Sequence, residues 1–469
     1  MFVGRLGRRK LIGTAVGVAA AGLAGCIAAP PTPTVGQKPA AAVAPASTAA
    51  PAAAPVAAKS AEAPTIKAVT GEFFMDTMFL PSSAVYNSEN QGKVFVKMES
   101  SPDGWETKII QMVKEKNVIW NAYVYDSYFS VYQRAKAGVL MPLDDLIKNS
   151  KVPWAATYGS TFFIPQVANA HKFEGKIWQI PAKIDVVYSI YNVKMVNEVG
   201  YDKFPETWDE TRVLFKKLKD KFAKDDVIPM AVNMDPWRCF GAIYCTFTGK
   251  PYNEDGYMDV QSKEYSMALE LMKSFYDDGY ANAKLLNSPD EMITWQKGKM
   301  AVEFNSTSWL VAAQTAWGKP NYVATNLPKP NKSDPLRTKT YIAGSGVFMH
   351  SANPQETLDF LLTVHGPEGK TAETMVKGQI NRSGAPFHKT WIESPIVKEN
   401  KDHPYLYPGY KMIENSTPAP VSPLHLVLDA AQKKFVPAYF KGEATLVDTV
   451  KKVHDQVQSD KGKLIQSTY

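Results

Sequence analysis

The sequence predicts an α/β protein with a largely parallel sheet and more than one domain. Three observations carry this. The chain has 469 residues, too many for one small core. Short apolar and β-branched runs alternate with segments whose apolar residues return at helical spacing. Capping residues open those segments, and Gly or Pro turns separate them. Hydrophobic residues make up 45% and charged residues 21%, the balance of a soluble globular chain.

The elements follow in order. Ile66–Thr70 and Lys93–Lys97 read as strands, the second bounded by Gly92 and the Pro102-Asp103-Gly104 turn. Trp105–Lys114 is helical, with Ile109, Met112 and Val113 on one side. Val118–Val124 is a further strand. Tyr128, Val131, Tyr132 and Ala135 mark a helix that Gly138 closes. Phe173–Pro181 contains the Glu174-Gly175 turn and an apolar strand, and Asp185–Tyr191 is another strand. Thr207-Trp208-Asp209-Glu210 has the form of a capping box, with Leu214, Leu218 and Phe222 following on one face. Ser262–Tyr276 is helical, with Ala268, Leu271, Met272 and Phe275 inward. Asn353-Pro354-Gln355-Glu356 starts a helix with Pro in its first turn, and Leu358, Leu361 and Leu362 form its buried face. No internal repeat is visible.

The net charge of +7 is partly an N-terminal feature. Arg5, Arg8, Arg9 and Lys10 precede Cys26 and no acid does, so the rest of the chain carries +3. That balance calls for neither nucleic acid nor an acidic partner. There are three cysteines, Cys26, Cys239 and Cys245, too few for a disulfide scaffold or a four-ligand zinc site. On a helix, Cys239 and Cys245 would be about 9 Å apart along the axis, so two buried thiols are expected.

Residues 1–25 read as an export signal: a basic start, then an apolar run from Leu11 to Leu23 too short to span a bilayer comfortably. The run ends in Leu23-Ala24-Gly25-Cys26, which resembles a bacterial lipobox with Cys26 as the lipidated residue. Gly7–Ile12 also resembles a twin-arginine export motif. Residues 26–64, nearly all Ala, Pro, Thr and Val, are expected to form an extended tether that lets the folded part work away from the membrane.

Enzyme motifs are missing: no G-x-S-x-G, H-E-x-x-H, Walker A or G-x-G-x-x-G before a helix. The seven histidines lack metal-ligand spacing, and neither a metal nor a cofactor is expected. A carboxylate pair suited to glycoside hydrolysis stays open.

Several segments in order resemble the ABC-importer solute-binding proteins typified by maltose-binding protein, the extracellular solute-binding protein family 1. They are Gly138-Val139-Leu140-Met141-Pro142-Leu143-Asp144-Asp145, Gly175–Pro181, Tyr188-Ser189-Ile190-Tyr191-Asn192, Phe204–Glu210, Trp295–Ala301, and Gly344-Ser345-Gly346 followed by Asn353-Pro354. Before Gly138 the match is poorer, and Asn117-Val118-Ile119-Trp120 departs from the family pattern. The resemblance implies a two-lobed periplasmic-binding-protein-like fold with a hinge and a ligand cleft between the lobes. One lobe would comprise 65–181 and 340–381, the other 182–339 and 382–469, with crossings near Pro181, Thr340 and Arg382. It implies an extracytoplasmic, lipid-anchored monomer that captures a small solute, a sugar or oligosaccharide, for an ABC permease. A surface-anchored polysaccharide hydrolase and a sensor lipoprotein are the alternatives.

Site residues are expected as follows. Asp126, beside Tyr123 and Tyr125, stands in the loop where the family presents an acid and an aromatic; it could equally cap the next helix. Asp185 lies at the first crossing, as a ligand contact or an exposed turn acid. Asp235 and Trp237 stand in a loop that matches a family stacking platform, and Trp309 matches a second one; either Trp could instead be a packing residue. Gly344 and Ser345 could bring backbone near ligand or mark a tight strand passage. Arg382 reaches ligand or pairs across the hinge.

Overall fold

The computed structural model describes residues 63–466 apart from 72–73, 103, 127–130, 232, 235–237, 282–293, 296, 307–308, 311–320 and 383. All of these fall in Pro55–Tyr469, one compact unit. The export signal, Cys26, almost all of the tether, Tyr128, Asp235 and Trp237 lie outside the described residues, as does the side chain of Asp126. Among the described residues no helix is long and apolar enough to cross a membrane.

The strands are β1 (Thr65–Thr70), β2 (Phe95–Ser100), β3 (Ala122–Asp126), β4 (Lys172–Phe173), β5 (Lys176–Ile177), β6 (Ile180–Asn192), β7 (Ile228–Met230), β8 (Met300–Ser306), β9 (Tyr322–Thr325) and β10 (Thr340–Val347). Eight of them form one sheet in the order β2-β1-β3-β10-β6-β8-β7, with β9 also paired to β6, while β4 and β5 form a separate hairpin. Pairing is parallel at the two ends, β1 with β2 and β3 and β7 with β8. In the middle it is antiparallel, β10 with β3 and β6, and β6 with β8 and β9. The expected largely parallel sheet is thus a mixed one. The reason is topological: β6 carries the chain from one end of the sheet to the other and β10 brings it back, and an outward and a return strand must oppose each other.

Two strands read separately from the sequence are one. β6 is 13 residues long and buried at all but its last position. Pro181 looks like a break, but the strand absorbs it at a register shift where Ala182 is the extra residue between the pairs Gly344–Pro181 and Ala343–Lys183. Residues 180–186 face β10, and 187–192 face β8 and β9.

The helices that matter for the site are α1 (Leu80–Glu89), α2 (Trp105–Lys114), α3 (Val131–Lys136), α4 (Trp208–Phe222), α5 (Cys239–Phe247), α6 (Lys263–Asp277), α7 (Pro354–Val364) and α8 (Lys370–Asn381). Their starts follow the sequence signals. Thr207 Oγ1 accepts from Glu210 N at 3.3 Å, although the returning Glu210 carboxylate takes the Glu206 N–H at 3.2 Å instead of the cap residue's own. Ser262 caps α6 through Tyr265 N, and Gly138 ends the α3 segment with φ +66°. Cys239 and Cys245 lie on α5 as two buried free thiols. A large apolar core runs beneath both ends of the sheet, and a smaller one gathers Trp105, Ile109, Val113, Trp120, Leu140 and Phe348 around α2.

Candidate functional site at the strand crossing

Three chain segments run side by side in the middle of the sheet. β6 and β10 are two of them. The third follows α8: Ile184 N donates to Ala385 O at 2.8 Å and Ala385 N to Ile184 O at 3.1 Å. Gln379, near the end of α8, ties the same place by donating Nε2 to Ala182 O at 2.8 Å. Residues near Pro181, Thr340 and Arg382 therefore lie together.

The end of β3 points into this crossing because of a local irregularity. Opposite β10, Gly344 pairs with Asp126 but Gly346 pairs with Tyr123, so β3 holds one extra residue. Tyr125 takes it up with φ +68°, a conformation uncommon for an aromatic residue. Bulges re-aim side chains, and strained backbone persists where its surroundings hold it in place. Tyr125 turns into the main core against Phe74 and Phe79, with ring centroids 4.8 and 5.5 Å away. Its hydroxyl is buried beside the Gln379 side chain, which hydrogen-bonds to it, and Gln379 Oε1 is buried without a hydrogen bond.

Beneath these rings sit two charges. Lys183 Nζ is 2.9 Å from Asp185 Oδ1, and their side chains are 5% and 4% exposed. The Lys183 ammonium also lies 5.3 Å from the Phe74 ring and 5.1 Å from the Tyr125 ring, within cation–π range. Burial pushes the Asp185 carboxyl above its ordinary range, and Lys183 opposes that rise. Gly384 leaves room for the lysine stem. A Cβ there would stand 3.0 Å from Lys183 Cδ and 3.3 Å from Tyr125 Oη.

Behind Tyr125 is a chain of buried hydrogen bonds. Tyr125 N donates to Ser345 Oγ at 3.3 Å, and Ser345 Oγ is 2.9 Å from His365 Nε2. His388 Nε2 lies 2.8 Å from the His365 carbonyl and so carries a proton there. Its Nδ1 then accepts from Thr161 Oγ1 at 2.8 Å. Burial pulls His365 down to about 3 and His388 to about 4, so both are neutral at physiological pH. The network fastens β10, the end of α7 and the third crossing segment to one another.

The residues singled out from the sequence divide as follows. Asp185, Ser345 and the backbone of Asp126 stand at the crossing. Gly344 is there too, but a Cβ on it would meet Gln179 Oε1 at 2.5 Å and the His171 ring at 2.8 Å, so its missing side chain admits groups of the β4–β5 segment. Arg382 donates Nε to Thr77 Oγ1 at 3.0 Å, holding the third segment to the turn before α1. Tyr123 is elsewhere: it stacks on Trp105 at 4.1 Å and 3°, with the Arg134 guanidinium 5.2 Å from its ring. Trp309 is buried in the main core, with the Arg238 guanidinium 5.3 Å over its ring. Trp237 and Asp235 fall outside the described residues. Phe74, Lys183, Gln379 and Gly384 also stand at the crossing and match no motif in the sequence. Only Lys183 gave a signal, a cation two residues from an acid inside an otherwise apolar strand. Among the described residues no group of three or more His, Cys, Asp or Glu could hold a metal ion.

Comparison with known proteins fits this architecture. The sugar-binding protein MalE of Xanthomonas citri superposes with a TM-score of 0.69 at 13% identity, covering 86% of this chain and 100% of that one. An ABC substrate-binding protein of Listeria monocytogenes, solved in complex with cycloalternan, gives 0.67 at 19% identity over 86% and 100%. The GacH receptor of Streptomyces glaucescens, solved unliganded and with acarbose, gives 0.66 at 16% identity over 85% and 98%. These likenesses establish the MalE-like two-lobed α/β fold. A family-wide sequence profile described as bacterial extracellular solute-binding protein matches residues 83–404, more than half of the chain. The chain belongs to the bacterial extracellular solute-binding proteins.

Proposed function

We propose that this protein captures a saccharide outside the cytoplasm and hands it to the membrane subunits of an ABC importer. The observation that carries the reading is the strand crossing, where the Phe74 and Tyr125 rings, a buried charged pair and the buried polar ends of Tyr125 and Gln379 converge. Flat apolar faces suit the C–H faces of a sugar, and a few convergent polar groups suit its hydroxyls. The sugars and sugar analogues named with the similar structures point to the same ligand class. On this reading residues 65–181 with 340–381 form one lobe and 182–339 with 382–469 the other, closing about the crossing as a hinge. Asp126 contacts the ligand from the first side, Asp185, Asp235, Trp237 and Trp309 from the second, while Gly344, Ser345 and Arg382 hold the crossing. Residues 1–25 direct export, Cys26 carries the lipid anchor and 26–64 is the tether of a monomer that needs no cofactor.

Binding is favoured over hydrolysis by Asp185. Its carboxylate is tied to Lys183, whereas glycoside hydrolysis generally uses two carboxyl groups free to act on the bond. A thermal-shift screen of mono- and oligosaccharides tests the proposal. A ligand at a hundredfold excess over its Kd stabilises the folded state by about 2.7 kcal/mol. At least one sugar is expected to raise Tm and, in solution scattering, to contract the particle. A screen with no shift would remove the saccharide, and a shift without contraction would remove the hinge. Cys26→Ser is expected to release the protein from membranes, and equal membrane retention would remove the anchor.

A further inference from the structure

β6 is buried along almost its whole length, yet a cation and an anion stand two residues apart within it. Burying two charges is costly, and apolar side chains of similar size would fill the space without that cost. The pair is therefore read through what it does to charge at the crossing. Each partner is the other's counterion at 2.9 Å, and with side chains 5% and 4% exposed neither is screened by bulk water. The two ring faces 5.3 and 5.1 Å from the ammonium take up what remains of its positive field. Nearby cations are engaged elsewhere: Arg382 on Thr77, and Lys339 on the hydroxyl and ring of Tyr252.

We infer that the binding site, taken as the proposed function has it, accepts uncharged saccharides, and that the Lys183–Asp185 pair makes it reject charged ones. An acidic sugar brought to the crossing meets a lysine already neutralised and a carboxylate that repels it. An amino sugar meets the reverse. Either charge would enter a buried site without a counterion, an arrangement that discriminates by its penalty as much as by its attraction. A neutral sugar incurs no such penalty. Its hydroxyls can donate to Gln379 Oε1, which has no hydrogen bond, and to the outer lone pairs of Asp185, and can accept from the Tyr125 hydroxyl, whose own proton is left to donate beside Gln379.

The test is calorimetry on the full folded chain at neutral pH with three series of equal length. One is neutral glucose, galactose and mannose oligomers, the second the matching uronate oligomers, the third glucosamine oligomers with free amines. A neutral member is expected to bind, with its charged counterparts weaker by about tenfold or more. A charged counterpart that binds as tightly as the neutral one overturns the inference and leaves saccharide capture standing. Silence from all three series overturns both. Two variants locate the effect: Lys183→Met is expected to raise amine-to-neutral affinity about tenfold, and Asp185→Asn to raise the uronate-to-neutral ratio similarly. A ratio unchanged in either variant that folds overturns the role of the pair. Should both variants unfold, the wild-type series still decide the selectivity.

Discussion

Tyr123 and Tyr125 are separated by one residue on β3, and regular alternation would send both rings to the same face of the sheet. They part company. Tyr123 lies flat on Trp105 under Arg134, in the small cluster around α2. Tyr125, turned by the extra residue and its positive φ, enters the main core and closes over Lys183. The first ring has an aromatic partner at stacking distance and serves to fasten a helix to the sheet. The second carries backbone strain, a hydroxyl held only by the Gln379 side chain and a buried cation beneath it. Regular aromatic packing marks the one place, and strained backbone with spare polar capacity the other, which is how a scaffold and a site are told apart.

The contrast breaks if stability and binding do not separate between the two clusters. The largest effect is expected at Trp105, the first residue of α2, which is buried against Tyr123. Trp105→Ala should lower unfolding free energy in urea by about 3–5 kcal/mol while the remaining folded protein binds saccharide as before. Phe74→Ala should do the reverse, weakening binding tenfold or more, roughly 1.4 kcal/mol, at a smaller cost in stability. Equal loss of binding in both variants would contradict the division.

Acid sharpens the same contrast, because the histidine network lies behind Tyr125 and not behind Tyr123. In that network burial pulls His365 to about 3 and His388 to about 4, and outside it His171 and His425 to about 3, against an ordinary 6.5. The unfolded chain takes up protons near 6.5 and the folded chain does not. The stability these residues contribute is therefore complete above pH 6.5 and is lost as pH falls towards 4, at up to about 1.4 kcal/mol per histidine per pH unit. Urea midpoints measured from pH 7.5 to 4.5 should fall steeply below 6.5, and a flat profile would contradict the burial of these rings.

How much of this the sequence discloses depends on how local the cause is. Thr207, Ser262 and Pro354 mark helix starts through contacts within four residues, and α2 begins and ends where its apolar spacing does. The crossings near Pro181, Thr340 and Arg382 are implied only by a family resemblance, and their side-by-side pairing needs hydrogen bonds between residues about 150 to 200 positions apart. The mixed sheet was hidden because alternating elements look alike whichever way a strand runs. The site was least legible. Nothing local says that Tyr125, a non-glycine residue, takes φ +68°, and Gln379 and Gly384 reach it only through the fold. Lys183 and Asp185 were visible as an interruption of an apolar strand, but not as partners under two rings.

A smaller effect isolates the hydroxyl itself. Tyr125→Phe removes a buried hydroxyl whose side-chain partner is Gln379, so Tm of the ligand-free protein should fall only slightly while binding weakens several-fold. Tyr123→Phe should leave binding unchanged. Calorimetric titration of both variants checks this, and a Tyr123→Phe protein with the weaker binding would reverse the assignment of the two tyrosines.

The central claim is that ligand is held at the strand crossing. Hydrogen–deuterium exchange, with and without the saccharide that gives the thermal shift, tests it most directly. The account predicts that ligand slows exchange of the amides of Tyr125, Ile184, Ser345 and Ala385, leaving those of Trp105–Lys114 unchanged. Slowed exchange in α2 with none at the crossing would contradict it.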